Sequence, residues 1–172
     1  DTRCDMCSGP ITIGQFTIKT WNEEYSPDST MTDVIVHSDN IGMVFVGKKL
    51  GKEKFLDYFE RFGLDTKTDI DLPFEAVGDM SNLDTNRDVE FASASFGQGL
   101  AVTPIEFVRA VSALANGGFL ITPYLVENGE KSSVKPKQIL SRKTSETISR
   151  MLSVVVDKAL LGGGRGPKNY TV

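Results

Sequence analysis

Hydrophobic and polar residues recur along this chain with the periods of strands and helices. Over 11–21, β-branched and aromatic residues alternate with polar ones around a glycine, which predicts a hairpin or a bent strand. From Lys52, apolar residues at 55, 56, 59 and 62 keep helical spacing, and Gly63 is placed to end that helix in a left-handed conformation. Later, apolar residues predict a helix packed on one side, at positions 148, 151, 152, 155, 156 and 159.

Two stretches also carry the signals of a helix start. In T-M-T-D, Thr30 can accept a hydrogen bond from the amide of Asp33, whose charge suits the first turn of the short apolar helix that follows. In T-P-I-E, Thr103 is the predicted N-cap, Pro104 fits the first turn and Glu106 is the reciprocal partner. This second helix is expected to run to a Gly-Gly stop.

The remaining stretches give weaker signals. Residues 64–90 are rich in Asp, Asn, Thr and Pro and are predicted to be irregular. F-L-I-T-P-Y-L-V, at 119–126, is expected to be a strand with a proline bend or edge. G-G-G-R-G-P is expected to be a loop leading into a strand at Tyr170.

Composition narrows the class of protein. With 172 residues, 40% of them hydrophobic and 24% charged, the chain is expected to form one globular domain with a substantial core. Its net charge of -4 argues against a nucleic-acid partner, which requires a basic surface. No apolar run approaches the roughly 20 residues that span a bilayer. Both ends of the chain are expected to be cuts within a longer protein.

Cys4 and Cys7 form a lone C-x-x-C motif. A structural zinc site needs four ligands, and His37 is the only histidine, so a metal site is not expected. The turn-forming residues Ser8, Gly9 and Pro10 follow the motif where a thioredoxin-type redox pair would start a helix. Two alternatives remain open, a local disulfide and two inert thiols.

The stretch H-S-D-N-I-G, residues 37–42, precedes an apolar helical pattern. Ser, Asp and Asn are all favoured N-cap residues, so one interpretation is simply a helix cap between two helices. A His-Ser-Asp triad is excluded because neighbouring helical side chains point about 100° apart, whereas triads are assembled in space. His37 is therefore expected to be a structural residue beside the motif.

The surrounding sequence supports a second interpretation. S-T-M-T-D-V-I-V-H-S-D-N-I-G-M-V-F-V-G-K-K-L-G, then F-G-L, then A-S-F-G-Q-G-L-A-V-T-P-I-E-F-V-R-A-V-S-A-L-A-N-G-G, strongly resembles the transpeptidase domain of class B penicillin-binding proteins. These are monofunctional enzymes that crosslink the cell wall. S-D-N is one of three motifs found in β-lactamases and penicillin-binding proteins, the others being S-x-x-K and K-T-G. The resemblance covers most of the chain and is weakest at 64–90.

The resemblance implies an α/β fold of the β-lactamase/penicillin-binding transpeptidase-like type, an antiparallel sheet beside a helical lobe. Residues 1–172 would be a partial transpeptidase domain that contains mainly the helical lobe and a few strands. No K-T-G occurs, and no lysine stands three residues after the serines at 26, 29, 38, 81, 93 and 95. The serines later in the chain are expected to lack the S-x-x-K pattern too. We therefore expect the chain to lie between the two other motifs and to be inactive alone.

The implied activity is that of a peptidoglycan D,D-transpeptidase, a serine acyltransferase with no metal or organic cofactor. Ser38 would relay a proton, and Asn40 would hold the catalytic lysine and the substrate backbone. The two residues are expected to lie in a turn of extended character, with both side chains facing the same cleft. Expected ligands are peptidoglycan stem peptides and β-lactam antibiotics. The full-length protein is expected to be membrane-anchored at the extracytoplasmic face of a bacterial cell, with cell-wall synthesis partners in division or elongation.

Three alternatives to transpeptidation stay open. A D,D-carboxypeptidase differs only in using water as the acceptor. A serine β-lactamase of the same fold also uses S-D-N, but it needs an E-x-x-L-N loop that this sequence lacks. A non-catalytic, penicillin-sensing or scaffold homologue would lack the nucleophile or the lysine elsewhere in the full protein.

Overall fold

The structure, a computed structural model, describes residues 2–127 and 133–160, and of residues 159 and 160 it describes only the backbone. Within that part of the chain the helices are α1 (Met31–Val36), α2 (Asn40–Leu50), α3 (Lys52–Phe62), α4 (Asp88–Ser95), α5 (Pro104–Ala115) and α6 (Arg142–Val155). A 3₁₀ turn covers Ser81–Thr85, and a π-helical turn, Val156–Leu160, continues α6. None of these helices has both the length and the apolar character that crossing a membrane requires.

Short strands join in antiparallel pairs beside the helices. They are β1 (Arg3–Cys4), β2 (Ile11–Ile13), β3 (Phe16–Ile18), β4 (Ser29–Thr30), β5 (Phe119–Leu120) and β6 (Lys137–Gln138). β1 pairs with β4, β2 with β3, and β5 with β6. The hairpin predicted over 11–21 is confirmed, with Ile11 opposite Ile18 and a turn at Gly14, whose φ is 60°. The expected helix-rich α/β class with a few strands is also confirmed.

The chain divides into two compact units. Unit 1 comprises 2–52, 86–98 and 150–160 of the described residues, and unit 2 comprises 53–85, 99–127 and 133–149. The expectation of one partial domain over 1–172 stays a prediction.

Unit 1 has a core in which the first strand packs on the helices α1 and α2. Cys4, Cys7, Val34, Ile41 and Phe45 form one buried cluster. A second cluster joins the hairpin to α2 and α4, through Ile18, Val44 and Ala92. Apolar contacts with the first strand, the hairpin and α4 thus stabilise the helix pair α1 and α2.

Unit 2 is held by an apolar cluster and by buried polar groups. Ala113, Leu120, Ile139 and Leu140 form the cluster. The fully buried Glu106 carboxylate accepts hydrogen bonds from the amides of Thr103, at 2.7 Å, and Gly78, at 3.0 Å. Glu106 therefore completes the predicted cap of α5 and also anchors the irregular segment before it.

The local helix signals are confirmed. The side chains of Thr30 and Asp33 form a capping box at α1, as Thr103 and Glu106 do at α5. Gly63 is left-handed, with φ at 65°, directly after α3.

Two predictions need correction. The stretch 64–90 is not wholly irregular, because it contains the 3₁₀ turn and the start of α4. The strand predicted over 119–126 is limited to 119–120, because only those residues pair with β6 before Pro123 is reached. The predicted G-G-G-R-G-P loop and the strand at Tyr170 lie outside the described residues.

Candidate active site

The S-D-N motif forms the bend between α1 and α2. His37 is the C-cap of α1. The amide of Ser38 donates to the carbonyl of Ile35 at 3.1 Å, and the amide of Asp39 donates to the carbonyl of Val34 at 2.9 Å. These two bonds make a Schellman motif, the hydrogen-bonded helix end in which the residue after the C-cap is left-handed.

Ser38 occupies that left-handed position, with φ at 51°. The expectation of an extended turn is therefore wrong at Ser38, and the extended residue is Asp39, with φ -79° and ψ 109°. Glycine usually fills this position, since an L side chain there costs roughly 1–2 kcal/mol. A strained serine on a rigid bend supports the hypothesis that its hydroxyl has a function.

Asp39 provides the helix cap. Its buried carboxylate accepts hydrogen bonds from the amides of Ile41, at 2.8 Å, and Gly42, at 3.2 Å. Asp39 thus ends the Schellman motif of α1 and caps α2, as expected for a junction between two helices. The capping interpretation of the motif applies to Asp39, and it does not account for Ser38 or Asn40.

The exposed Ser38 lines an open groove of about 790 Å³. The other lining residues are Trp21, Asn22, Asp33, Val36, His37 and Lys158. The hydrogen bond from the Thr30 hydroxyl, then that from the Thr30 amide, lowers the pKa of Asp33, and nearby Lys158 and His37 act in the same direction. The groove therefore presents the Asp33 carboxylate and the Lys158 side chain in addition to Ser38.

Asn40 is the first residue of α2 and is half-buried. Its Nδ2 donates to the carbonyl of Lys19 at 2.8 Å, which orients the carboxamide. Asn40 does not line the groove beside Ser38. The expectation that both side chains face one cleft therefore stays a prediction.

Sequence reasoning did not single out most of the groove-lining side chains. Trp21 follows the hairpin, Asp33 lies in α1 and Lys158 lies in the π-helical turn, so their proximity depends on the fold. Asp33 was recognised only for its capping role. The sequence gives no indication that Trp21 belongs to a site. The indication comes from the structure, in which this large apolar side chain is 74% exposed.

The sequence does contain one S-x-x-K pattern, at Ser132 and Lys135. The expectation that the pattern is absent is therefore wrong. A nucleophile and lysine three residues apart meet when they share a helix face. Residues 134–136 are not helical, and Pro136 disfavours helical backbone at Lys135. We therefore assign this pair no catalytic role.

Cys4 and Cys7 are joined by a disulfide, with their Cα atoms 5.6 Å apart. This decides between the two alternatives that the sequence left open. Both cysteines are fully buried and pack with Val34 and Ile41, which lie on either side of the S-D-N bend in the sequence. In the part of the chain that the structure describes, no cluster of three or more His, Cys, Asp or Glu side chains could hold a metal ion.

Comparison with known proteins shows the family. A family model described as the penicillin binding protein transpeptidase domain matches residues 6–172. Stage V sporulation protein D of Bacillus subtilis is 38% identical over 81% of this chain and 23% of its own length. Penicillin-binding protein PbpB of Mycobacterium tuberculosis is 29% identical over 92% of this chain and 25% of its own. The chain thus spans about a quarter of the length of these curated relatives.

A solved structure agrees with the sequence comparisons. Penicillin binding protein 3 from Mycobacterium tuberculosis, crystallised with aztreonam, has a TM-score of 0.76 and 28% identity to this chain. The match covers 96% of this chain and 37% of that one. The resemblance to class B penicillin-binding proteins is confirmed, and the chain belongs to the penicillin-binding protein transpeptidase domain family.

Proposed function

We propose that the full-length protein containing this chain is a peptidoglycan D,D-transpeptidase. The observation that carries the proposal is the placement of Ser38, an exposed residue that lines a groove and occupies a strained, hydrogen-bonded helix end. A fold optimised only for stability would have glycine there. Family membership supplies the reaction in which such a hydroxyl is useful.

In the proposed reaction, a serine outside this chain attacks the carbonyl carbon of a D-Ala-D-Ala stem peptide. The bond to the terminal D-Ala breaks, its amine takes a proton, and an acyl-enzyme remains, which the amine of a neighbouring strand then resolves. Ser38 relays the proton to the leaving amine, because a hydroxyl donates and accepts at the same time. The Schellman hydrogen bonds keep that hydroxyl in place during both steps.

Asn40 is proposed to orient the catalytic lysine. With one N–H of its carboxamide bonded to Lys19, the Oδ1 atom points away from that carbonyl and can accept from an ammonium group. A carboxamide performs this task without titrating. The second N–H remains suitable for a substrate carbonyl.

We further propose that the protein acts at the extracytoplasmic face of the cell membrane, anchored by a segment beyond this chain, and that it works with other cell-wall synthesis proteins. The disulfide between Cys4 and Cys7 supports an oxidising compartment. The proposed ligands are peptidoglycan stem peptides and β-lactams. The similar protein solved with aztreonam supports the second class of ligand.

The test uses the full-length gene product in detergent. Fluorescent penicillin should label the wild-type protein, and Ser38→Ala and Asn40→Ala should slow acylation by roughly tenfold to a thousandfold, the range of general acid-base contributions. Ser8→Ala is the matched control, because Ser8 is an exposed serine outside the groove. Equal labelling of all four proteins would refute the roles of Ser38 and Asn40.

Product analysis separates the alternatives. Incubation with stem peptides should yield crosslinked dimers with loss of the terminal D-Ala. Trimmed monomers alone would indicate a D,D-carboxypeptidase, and rapid penicillin hydrolysis would indicate a β-lactamase. Absence of both labelling and turnover would indicate a non-catalytic homologue.

A further inference from the structure

The segment that leaves the β2–β3 hairpin is bonded to the S-D-N bend on both sides of Ser38. On one side, Asn40 Nδ2 donates to the carbonyl of Lys19 at 2.8 Å. On the other, the indole Nε1 of Trp21 donates to the carbonyl of His37 at 3.1 Å. These two bonds link residues distant in the chain and bracket the serine.

The bond from Trp21 acts on the peptide group that immediately precedes Ser38. This peptide contains the carbonyl of His37 and the amide of Ser38, and that amide is bonded to the carbonyl of Ile35. The last carbonyls of a helix have no partner within the helix, so the His37 carbonyl requires one from elsewhere. Trp21 therefore holds the oxygen side of a peptide plane whose N–H side is held by α1.

The orientation of this peptide plane controls the direction of the Ser38 side chain. The angle φ of Ser38 is a rotation relative to that plane, and its value of 51° lies in a region that serine rarely occupies. The following peptide is fixed by the bond from Asp39 to Val34. A change at the His37 carbonyl would thus turn the hydroxyl within the groove while the helices stay in place.

The exposure of Trp21 argues against a purely structural role. Its side chain is 74% exposed and therefore buries little apolar area. Substitutions of such surface residues usually change the free energy of unfolding very little. Its indole N–H nevertheless donates a specific hydrogen bond to the carbonyl that precedes Ser38.

We infer that Trp21 is a positioning residue for the proton-relay serine, acting through its Nε1–H on the carbonyl of His37. The inference rests on the proposed function, because it assumes that Ser38 acts in acylation. Its effect is exerted on the rate constant of acylation and not on the initial binding of the β-lactam. That distinction separates it from any contact between the indole ring and a ligand.

The experiment removes the N–H and keeps the ring. In the full-length protein, position 21 is replaced site-specifically by 3-benzothienylalanine, in which sulfur takes the place of N–H, and in parallel by 7-azatryptophan, which keeps the N–H. Trp21→Phe is a second, genetically simple variant. Phe74→Leu is the control for altering an exposed aromatic side chain, since Phe74 is fully exposed and lies outside the groove.

Stopped-flow acylation gives the binding constant and the acylation rate constant separately. We expect 3-benzothienylalanine and Trp21→Phe to lower the rate constant by about twofold to tenfold, the equivalent of one neutral hydrogen bond, with unchanged binding. The 7-azatryptophan protein and Phe74→Leu should match wild type. Thermal unfolding should be unchanged in all variants.

The outcomes distinguish this inference from the proposed function. If wild type is labelled and Ser38→Ala slows acylation, but the protein with 3-benzothienylalanine keeps the wild-type rate constant, the positioning role is overturned and the proposed function stands. A change in binding alone also overturns it. If wild type is not labelled, the proposed function fails and the inference fails with it. If wild type is labelled but Ser38→Ala has no effect, the proton-relay role of Ser38 fails, and the inference fails with that role.

Discussion

Gly42 lies directly against the side chain of Val34, where α1 and α2 approach each other. A Cβ atom at position 42 would lie 2.5 Å from Cγ2 and 2.6 Å from Cγ1 of Val34. We expect Gly42→Ala to destabilise the fold, because overpacking costs about 1–3 kcal/mol, more than the roughly 1 kcal/mol that alanine gains in helix propensity. Chemical denaturation measures the change in free energy of unfolding.

Gly9→Ala is the control for this prediction, because a Cβ at position 9 meets no atom within 4 Å. The double variant Gly42→Ala with Val34→Ala should show a favourable coupling energy, since the smaller side chain removes the clash. Additive effects would show that the two residues do not clash.

Ser38 should carry a stability cost that its replacement by glycine relieves. The φ of Ser38 is 51°. We expect the free energy of unfolding of Ser38→Gly to exceed that of Ser38→Ala by about 1 kcal/mol, because only alanine retains the steric cost of the left-handed backbone. Both variants should lose acylation rate for the same chemical reason, the missing hydroxyl. If the two have equal free energies of unfolding, Ser38 is not left-handed in solution.

Asp39 should contribute to stability by capping α2. We expect Asp39→Ala to cost about 1 kcal/mol, because the amides of Ile41 and Gly42 lose their acceptor. Asp39→Ser, which can still cap, should keep most of the stability. Urea denaturation provides the comparison, and equal losses in the two variants would contradict the capping role.

The stabilising effect of the Asp33 carboxylate should depend on pH. The hydrogen bond from the Thr30 hydroxyl, at 2.6 Å, is the main cause that lowers the pKa of Asp33 below its ordinary value of 3.8. A lowered folded-state pKa stabilises the fold above the unfolded pKa, and this contribution is lost as the pH falls through the folded pKa. The stability difference between wild type and Asp33→Asn should therefore be constant near neutrality and shrink below about pH 4.

Thr30→Val tests the cause of this dependence. Without the hydroxyl, the Asp33 pKa should move back toward its ordinary value, which carboxyl NMR titration can follow. A difference between wild type and Asp33→Asn that persists unchanged in strong acid would exclude the linkage.

The disulfide should be detectable by mass and should stabilise the fold. Trypsin releases both cysteines in one peptide, 4–19, which should be lighter by two hydrogens before reduction than after it. The loop-closure entropy of so small a ring predicts that the double variant Cys4→Ser with Cys7→Ser loses about 2 kcal/mol of its free energy of unfolding. An unchanged peptide mass on reduction, or an unchanged melting temperature in the variant, would contradict the prediction.

Features that depend on side chains close in sequence could be predicted from the sequence. The capping boxes of Thr30 with Asp33 and of Thr103 with Glu106 each join residues three positions apart. The helix junction at S-D-N was likewise evident. The sequence does not show which of the three residues caps α2, because Ser, Asp and Asn are all favoured at an N-cap. The structure assigns that role to Asp39.

Features that depend on tertiary contacts could not be predicted in this way. Helix α4 has no side-chain cap at Arg87, and its buried residues Phe91, Ala92 and Ala94 do not define a simple apolar stripe. It forms because α2, some forty residues earlier, packs against it. The bond from Trp21 to His37 joins residues 16 positions apart and has no sequence signature.

The pairing of β1 with β4 places Cys4, and with it the disulfide to Cys7, beside the segment from which α1 begins. Cys4 stands opposite Ser29, and Arg3 stands opposite Thr30, the residue from which α1 begins. A polypeptide still in a reducing compartment would lack the covalent tie beneath this helix. Until that bond forms, noncovalent contacts alone join the first strand to the segment before α1, so the fold should acquire its full rigidity only after Cys4 and Cys7 are oxidised.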